Sequence, residues 1–141
     1  MSSRARERLD AVRRALHACG LRATPARIAV LDVLRSAGVP LSVDDVQQRL
    51  DGVVLDRTTV FRNLTALMRV GLARRLDLGD RRWRFIRVAA GAWATFVCTG
   101  CGEVQPLERV RFAVGMPGAP GAIARREIAL YAHGRCDRCA R

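Results

Sequence analysis

Two Cys-x-x-Cys pairs carry the most legible chemistry of this chain: Cys98 and Cys101 in "FVCTGCGEV", and Cys136 and Cys139 in "HGRCDRCAR". Two residues between thiolates let a tight turn set both sulfurs on one edge of a tetrahedron, with the turn amides free to hydrogen-bond them. Gly100 and Gly102 ease such a turn. Soft thiolates at four corners select zinc and leave no open coordination position, so the expectation is one structural zinc per chain, not a catalytic one. An oxidised pair or a thiol redox centre is the competing reading of the same residues. A thioredoxin-like pair would open a helix inside a βαβ unit, and neither pair here has that setting. Cys19, alone beside Gly20, reads as a small buried hydrophobe and not as a sensor. The two histidines, His17 and His133, read as surface or packing residues, with His133 close enough to the second pair to support a ligand by a hydrogen bond.

The second chemical signal is charge. The chain has 25 Lys and Arg against 13 Asp and Glu, a net +12, and every one of the 25 is Arg. The guanidinium fork suits bidentate contacts to phosphates and base edges, so double-stranded DNA is the leading partner, although a codon bias toward Arg would raise the same count. Half of the residues are hydrophobic, which supports packed cores and excludes a disordered tail. No apolar run approaches the ~20 residues of a membrane span, and "MSSRARERLD" lacks a signal peptide's apolar stretch. The expected compartment is therefore the cytoplasm, with no membrane partner. In that reducing setting, spaced Cys pairs read as metal ligands before disulfides. No nucleophile–base set is evident, and a zinc closed by four thiolates activates no water, so no enzyme is expected.

These side chains need elements to position them. Leu9, Val12 and Leu16 recur at helical spacing between Arg4 and Ala18, with arginines on the remaining faces. In "LRATPARIAVLDVLRSAG" Thr24 suits an N-cap, Pro25 the first turn, and Gly38 the stop. Ser42 and Asp45 have capping-box spacing ahead of Val46 and Leu50. A fourth helix starts after Asp56 and ends at Gly71. It buries Val60, Leu64, Leu67 and Met68, which leaves Arg57, Thr58, Arg62, Asn63 and Arg69 on the outer face. Two strand-like runs then flank Gly79-Asp80, a hairpin carrying Arg74, Arg75, Arg81, Arg82, Arg84 and Arg87. The order is that of a winged helix-turn-helix: a recognition helix for base edges, with Arg82 and Arg84 in the wing holding phosphates. A small helical bundle with solvated charges is the plainer alternative. The small residues of "VAAGA" place a domain boundary near Ala89–Gly91, giving domains 1–88 and 92–141. Beyond it the pattern predicts a strand, a Cys knuckle, a second strand, a turn or two of helix, a loop at "GMPGAPGA" and a final strand entering the second knuckle.

The runs "CGLRATPARIAVLDVL", "LSVDDVQQRL" and "TTVFRNLTALMRVGLARRLDLGD", with the spaced Cys pairs behind them, resemble the Fur family of ferric and zinc uptake regulators over residues 9–139. The resemblance implies an α+β chain: an N-terminal winged-helix DNA-binding domain and a small C-terminal α/β dimerisation domain stapled by a four-cysteine zinc. It implies a homodimeric repressor, with Thr59, Phe61 and Arg62 on the recognition helix and Arg22 reaching the minor groove. Phe61 stands where the family usually has tyrosine, and its ring can still pack on a thymine methyl. The family's regulatory metal is held by a histidine-rich run before the first knuckle, where this chain has Ala92, Trp93, Ala94 and Thr95. Its usual hinge glutamate falls on Ile86, and a histidine before the third helix on Pro40. The expectation is a regulator that keeps the stapling zinc and has lost the metal switch. Two other readings of the pattern are a thiol-based redox-responsive regulator and a heterodimerising modulator of a metal-sensing paralogue. The Pro/Gly loop at 115–122 cuts short the family's long C-terminal helix.

Overall fold

A computed structural model describes residues 1–88, 94–107, 118, 120–124, 128 and 130–141. The chain divides into two compact units, Met1–Val88 and Ala89–Arg141. The stretch 89–93, with Ala92 and Trp93, lies outside the described residues, as does the helical turn expected after Leu107.

The first unit is four helices and a hairpin: α1 (Ser3–Ala18), α2 (Pro25–Ala37), α3 (Val43–Arg49), α4 (Arg57–Arg69), β1 (Ala73–Asp77) and β2 (Trp83–Arg87). Local chemistry sets the helix ends. Thr24 accepts from the Arg27 amide at 3.3 Å, Ser42 and Asp45 form a reciprocal capping box, and Asp56 accepts from the Thr59 amide at 2.7 Å. Gly38 closes α2 in the left-handed region, φ 64°, which a side chain would disfavour.

Val12, Leu16, Val30, Leu31, Val46, Leu64 and Leu67 are almost wholly shielded and meet in one core, each worth about 1.5–3 kcal/mol of burial. The hairpin joins this core through Phe85, which is 1% exposed. Leu41, just ahead of α3, exchanges both backbone hydrogen bonds with Phe85, at 3.0 and 2.7 Å, so the entry to α3 acts as a short third strand. The Val88 amide donates to the Leu72 carbonyl at 2.9 Å, closing the hairpin's base.

The second unit holds β3 (Ala94–Cys98), β4 (Val104–Pro106), α5 (Gly121–Ala124) and β5 (Leu130–Gly134). Its sheet runs β4-β3-β5, with β3 antiparallel to β4 and parallel to β5. Parallel neighbours need a long crossover, and residues 99–129 supply it. The loop expected over 115–122 is corrected at its end: Gly121 and Ala122 open the single turn of α5, with Pro120 accepting from the Ile123 amide at 3.0 Å. Proline just before a first turn costs no helical hydrogen bond, so the run of Pro and Gly delays a helix without forbidding one. No described helix is long and apolar enough to cross a membrane.

Candidate functional site

The parallel register places Cys98 opposite Gly134, so β3 and β5 deliver their ends side by side. The first knuckle follows Cys98 directly and the second starts two residues past Gly134. The sulfurs of Cys98, Cys101, Cys136 and Cys139 all lie within 4.8 Å of one another. Hydrogen bonds tie the knuckles to the sheet and to each other: Thr99 donates to the Gly134 carbonyl at 2.8 Å, Cys98 to Glu103 at 2.9 Å, and Cys139 to Cys136 at 2.9 Å.

Cys98 anchors the group. It is fully buried, and its sulfur accepts from the amides of Gly100, Cys101 and Cys136 at 3.3, 3.4 and 3.3 Å. The amides of Cys101 and Cys136 hold its thiol down at about 6 from an ordinary 9.0. Cys139 is pushed up to about 12, chiefly because its thiol shares a hydrogen bond with the Cys136 sulfur. Cys98 and Cys139 thus favour opposite protonation states while they are thiols. A dication that accepts all four as thiolates removes that conflict.

The donor set fits zinc by this test. The sulfurs converge, amide donors already face one of them, and Gly100 leaves room: a Cβ there would meet Cys139 Cβ and Sγ at 3.0 Å. Arg138 pairs with Glu103 at 3.1 Å across the two knuckles, an exposed contact of small energetic weight. His133 is exposed on β5 and Cys19 half-buried after α1. Among the described residues, no other group of three or more His, Cys, Asp or Glu side chains converges in this way. Ile86 and Pro40 are buried.

In the first unit, α4 presents the predicted face with one correction. Arg57, Thr58, Phe61 and Arg62 are exposed, Phe61 at 48%, and Thr59 is half-buried. Asn63 is not on the outer face. It is 8% exposed, and its amide donates back to the Thr59 carbonyl at 2.9 Å, a polar group satisfied by its own helix.

Two arginines expected to meet DNA already hold carboxylates. Arg57 pairs with Asp44 in the first turn of α3. Arg84 is half-buried and forks onto Asp80 at 2.9 and 2.6 Å, so a phosphate at this arginine would compete with that carboxylate. Arg82 is exposed, its amide donating to Asp80 at 3.2 Å. Arg22 is exposed between α1 and α2, and its carbonyl accepts from Arg27 Nη1 at 2.7 Å and from the Thr24 amide at 3.0 Å. Trp83, 52% exposed at the start of β2, is a candidate that the sequence reading misses, and a large aromatic among the six arginines of the hairpin is the signal for it.

The sequence model of the ferric uptake regulator family matches residues 18–113. The chain is 28% identical over 130 residues to the peroxide operon regulator of Bacillus subtilis (strain 168), covering 86% of each. Among solved structures it resembles a zinc uptake regulator complexed with zinc and DNA, with a TM-score of 0.68 and 21% identity over 99% of this chain and 97% of that one. It also resembles the ferric uptake regulator from Pseudomonas aeruginosa with manganese, with a TM-score of 0.56 and 25% identity over 87% and 96%.

Proposed function

This chain belongs to the ferric uptake regulator family, and on that premise we propose that it is a sequence-specific, homodimeric DNA-binding repressor, stapled by one structural zinc per chain and without a regulatory metal site. The observation that carries the DNA-binding part is the outer face of α4, where Arg57, Thr58, Phe61 and Arg62 stand exposed on a helix held from behind by Val60, Leu64 and Leu67. An α-helix fits the major groove, where Arg reads guanine and an apolar ring meets the thymine methyl. Arg22 and Arg82 then serve as positioning contacts.

Cys98, Cys101, Cys136 and Cys139 would hold the zinc, which when bound cross-links the two knuckles. With four thiolates the coordination sphere is closed, so the second unit is stabilised and no water is activated. Loss of the ligand positions at Ile86 and Pro40 supports a repressor whose DNA affinity does not depend on a second metal.

The test is selection of bound duplexes from genomic fragments by the full chain, followed by affinities at one fixed salt concentration. Arg62→Ala should lose discrimination between selected and scrambled duplexes by about 1–3 kcal/mol, while metal analysis returns one zinc per chain. Absence of any DNA selection would sink the reading.

A further inference from the structure

The outer half of the hairpin is used by neither the thiol cluster nor the α4 reading face. The register pairs Arg75 with Phe85 and Asp77 with Trp83, so these four side chains share one face of the ribbon. At its base that face is sealed into the core by Phe85. The strands run on past the core, and there Arg75, diagonal to Trp83 across the ribbon, lays its guanidinium carbon 3.9 Å from the ring centroid.

Between this pair and α4 lies a groove of about 760 Å³. Arg75, Arg81, Arg82 and Trp83 form its hairpin wall, and Arg57, Thr58 and Phe61 its helix wall. The third side, the start of α3, brings Asp44 and Asp45. Both are already engaged: Asp44 with Arg57, and Asp45 with the Ser42 amide at 2.9 Å. Asp45 keeps its charge, so the groove sets Arg57, Arg75, Arg81 and Arg82 against Asp44 and Asp45, and its balance is positive. A guanidinium held over an aromatic face has its side chain already ordered and keeps N–H donors for an anion.

We propose that this groove seats the sugar–phosphate backbone of one strand of duplex DNA, with Trp83 packed on a deoxyribose and Arg75, held by the ring, donating to the adjoining phosphate. Trp83 is a positioning residue for Arg75 as well as an apolar contact. The assignment rests on the reading of the chain as a DNA-binding regulator and adds to it which wing residues carry the phosphate contact.

The experiment uses the full zinc-loaded chain with two probes, a duplex selected from genomic fragments and a scrambled duplex of the same length. Arg75→Ala should weaken both duplexes alike, roughly tenfold, and reduce the salt slope by about 0.9. Trp83→Ala should do much the same, Trp83→Phe should recover most of the affinity, and the double variant should fall short of the sum of the singles. DNA should quench the tryptophan emission of the wild type and leave Trp83→Phe largely unquenched. Trp83 is half exposed, so unchanged melting of these variants shows that folding is not the cause. If Trp83→Ala and Arg75→Ala bind with wild-type affinity and slope while Arg62→Ala still loses discrimination, the groove assignment is wrong and the DNA reading stands. If the wild type binds neither duplex, both fall.

Discussion

Gly100 shows how closely the thiol cluster depends on single atoms. A methyl group there would sit 3.0 Å from both Cβ and Sγ of Cys139, nearer than side-chain carbons approach without displacement. The backbone around it also donates two of the three amides that Cys98 receives, so the turn cannot shift freely to make room. Gly100→Ala should therefore move the second knuckle and weaken zinc binding, with an overpacking cost of about 1–3 kcal/mol, read by competition with a chromophoric chelator. Equal retention of zinc by the variant and the wild type would show that the knuckles are not held by this contact. Glu103→Gln makes a useful contrast. It removes an exposed, solvent-screened pair with Arg138, and zinc retention should barely change.

Among the elements, α3 and α4 begin with carboxylates that cap them. The Ser42 backbone amide, donating to Asp45, and the Thr59 backbone amide, donating to Asp56, hold each carboxyl below its ordinary 3.8. A depressed folded value means stability that is fully present above the unfolded value and lost as pH falls through the folded one. The first unit should thus weaken below about pH 4, through the caps of α3 and α4. Asn caps nearly as well as Asp but carries no titrating charge. Asp56→Asn should match the wild type in urea unfolding at pH 7 and lose less stability on acidification. Identical acid slopes for the two would assign the titration to other groups. These caps were legible in the sequence because a cap is a local device: Thr24, Ser42 with Asp45, and Asp56 each lie within three residues of the amide they serve. The Cys pairs were legible for the same reason. The features that the sequence does not show are those set by contacts that spacing does not encode. Helical periodicity put Asn63 outward, but its amide folds back onto Thr59. The commitment of Arg84 to Asp80 depends on the hairpin loop, and that of Arg57 to Asp44 on how α3 meets α4. The Arg75–Trp83 stack needed the strand register, and the parallel pairing of β3 with β5 needed a contact across more than thirty residues.

For the whole molecule the open question is what turns DNA binding on. By the family resemblance, a metal-switched member needs its regulatory ion to hold two DNA-binding domains at the spacing of two half-sites, and loses affinity when a mild chelator removes that ion. In this chain Pro40 and Ile86 are buried within the first unit, and Ala94 is 2% exposed at the start of β3. None of the three is a ligand for a first-row metal. The one convergent ligand group among the described residues is the four-cysteine set. The net charge of +12 gives the chain a strong sequence-independent attraction to DNA that needs no metal to switch it on. Binding to a selected duplex should therefore be the same with added ferrous, manganous or zinc ions and with a chelator too weak to take the thiolate-bound zinc. The measurement is a titration at fixed salt, with bound metal counted in parallel. A rise in affinity of about tenfold with a second metal equivalent, a coupling of about 1.4 kcal/mol, would mean that a sensor has been rebuilt from other residues. His17, Cys19 and His133 would then be the first candidates to replace one at a time.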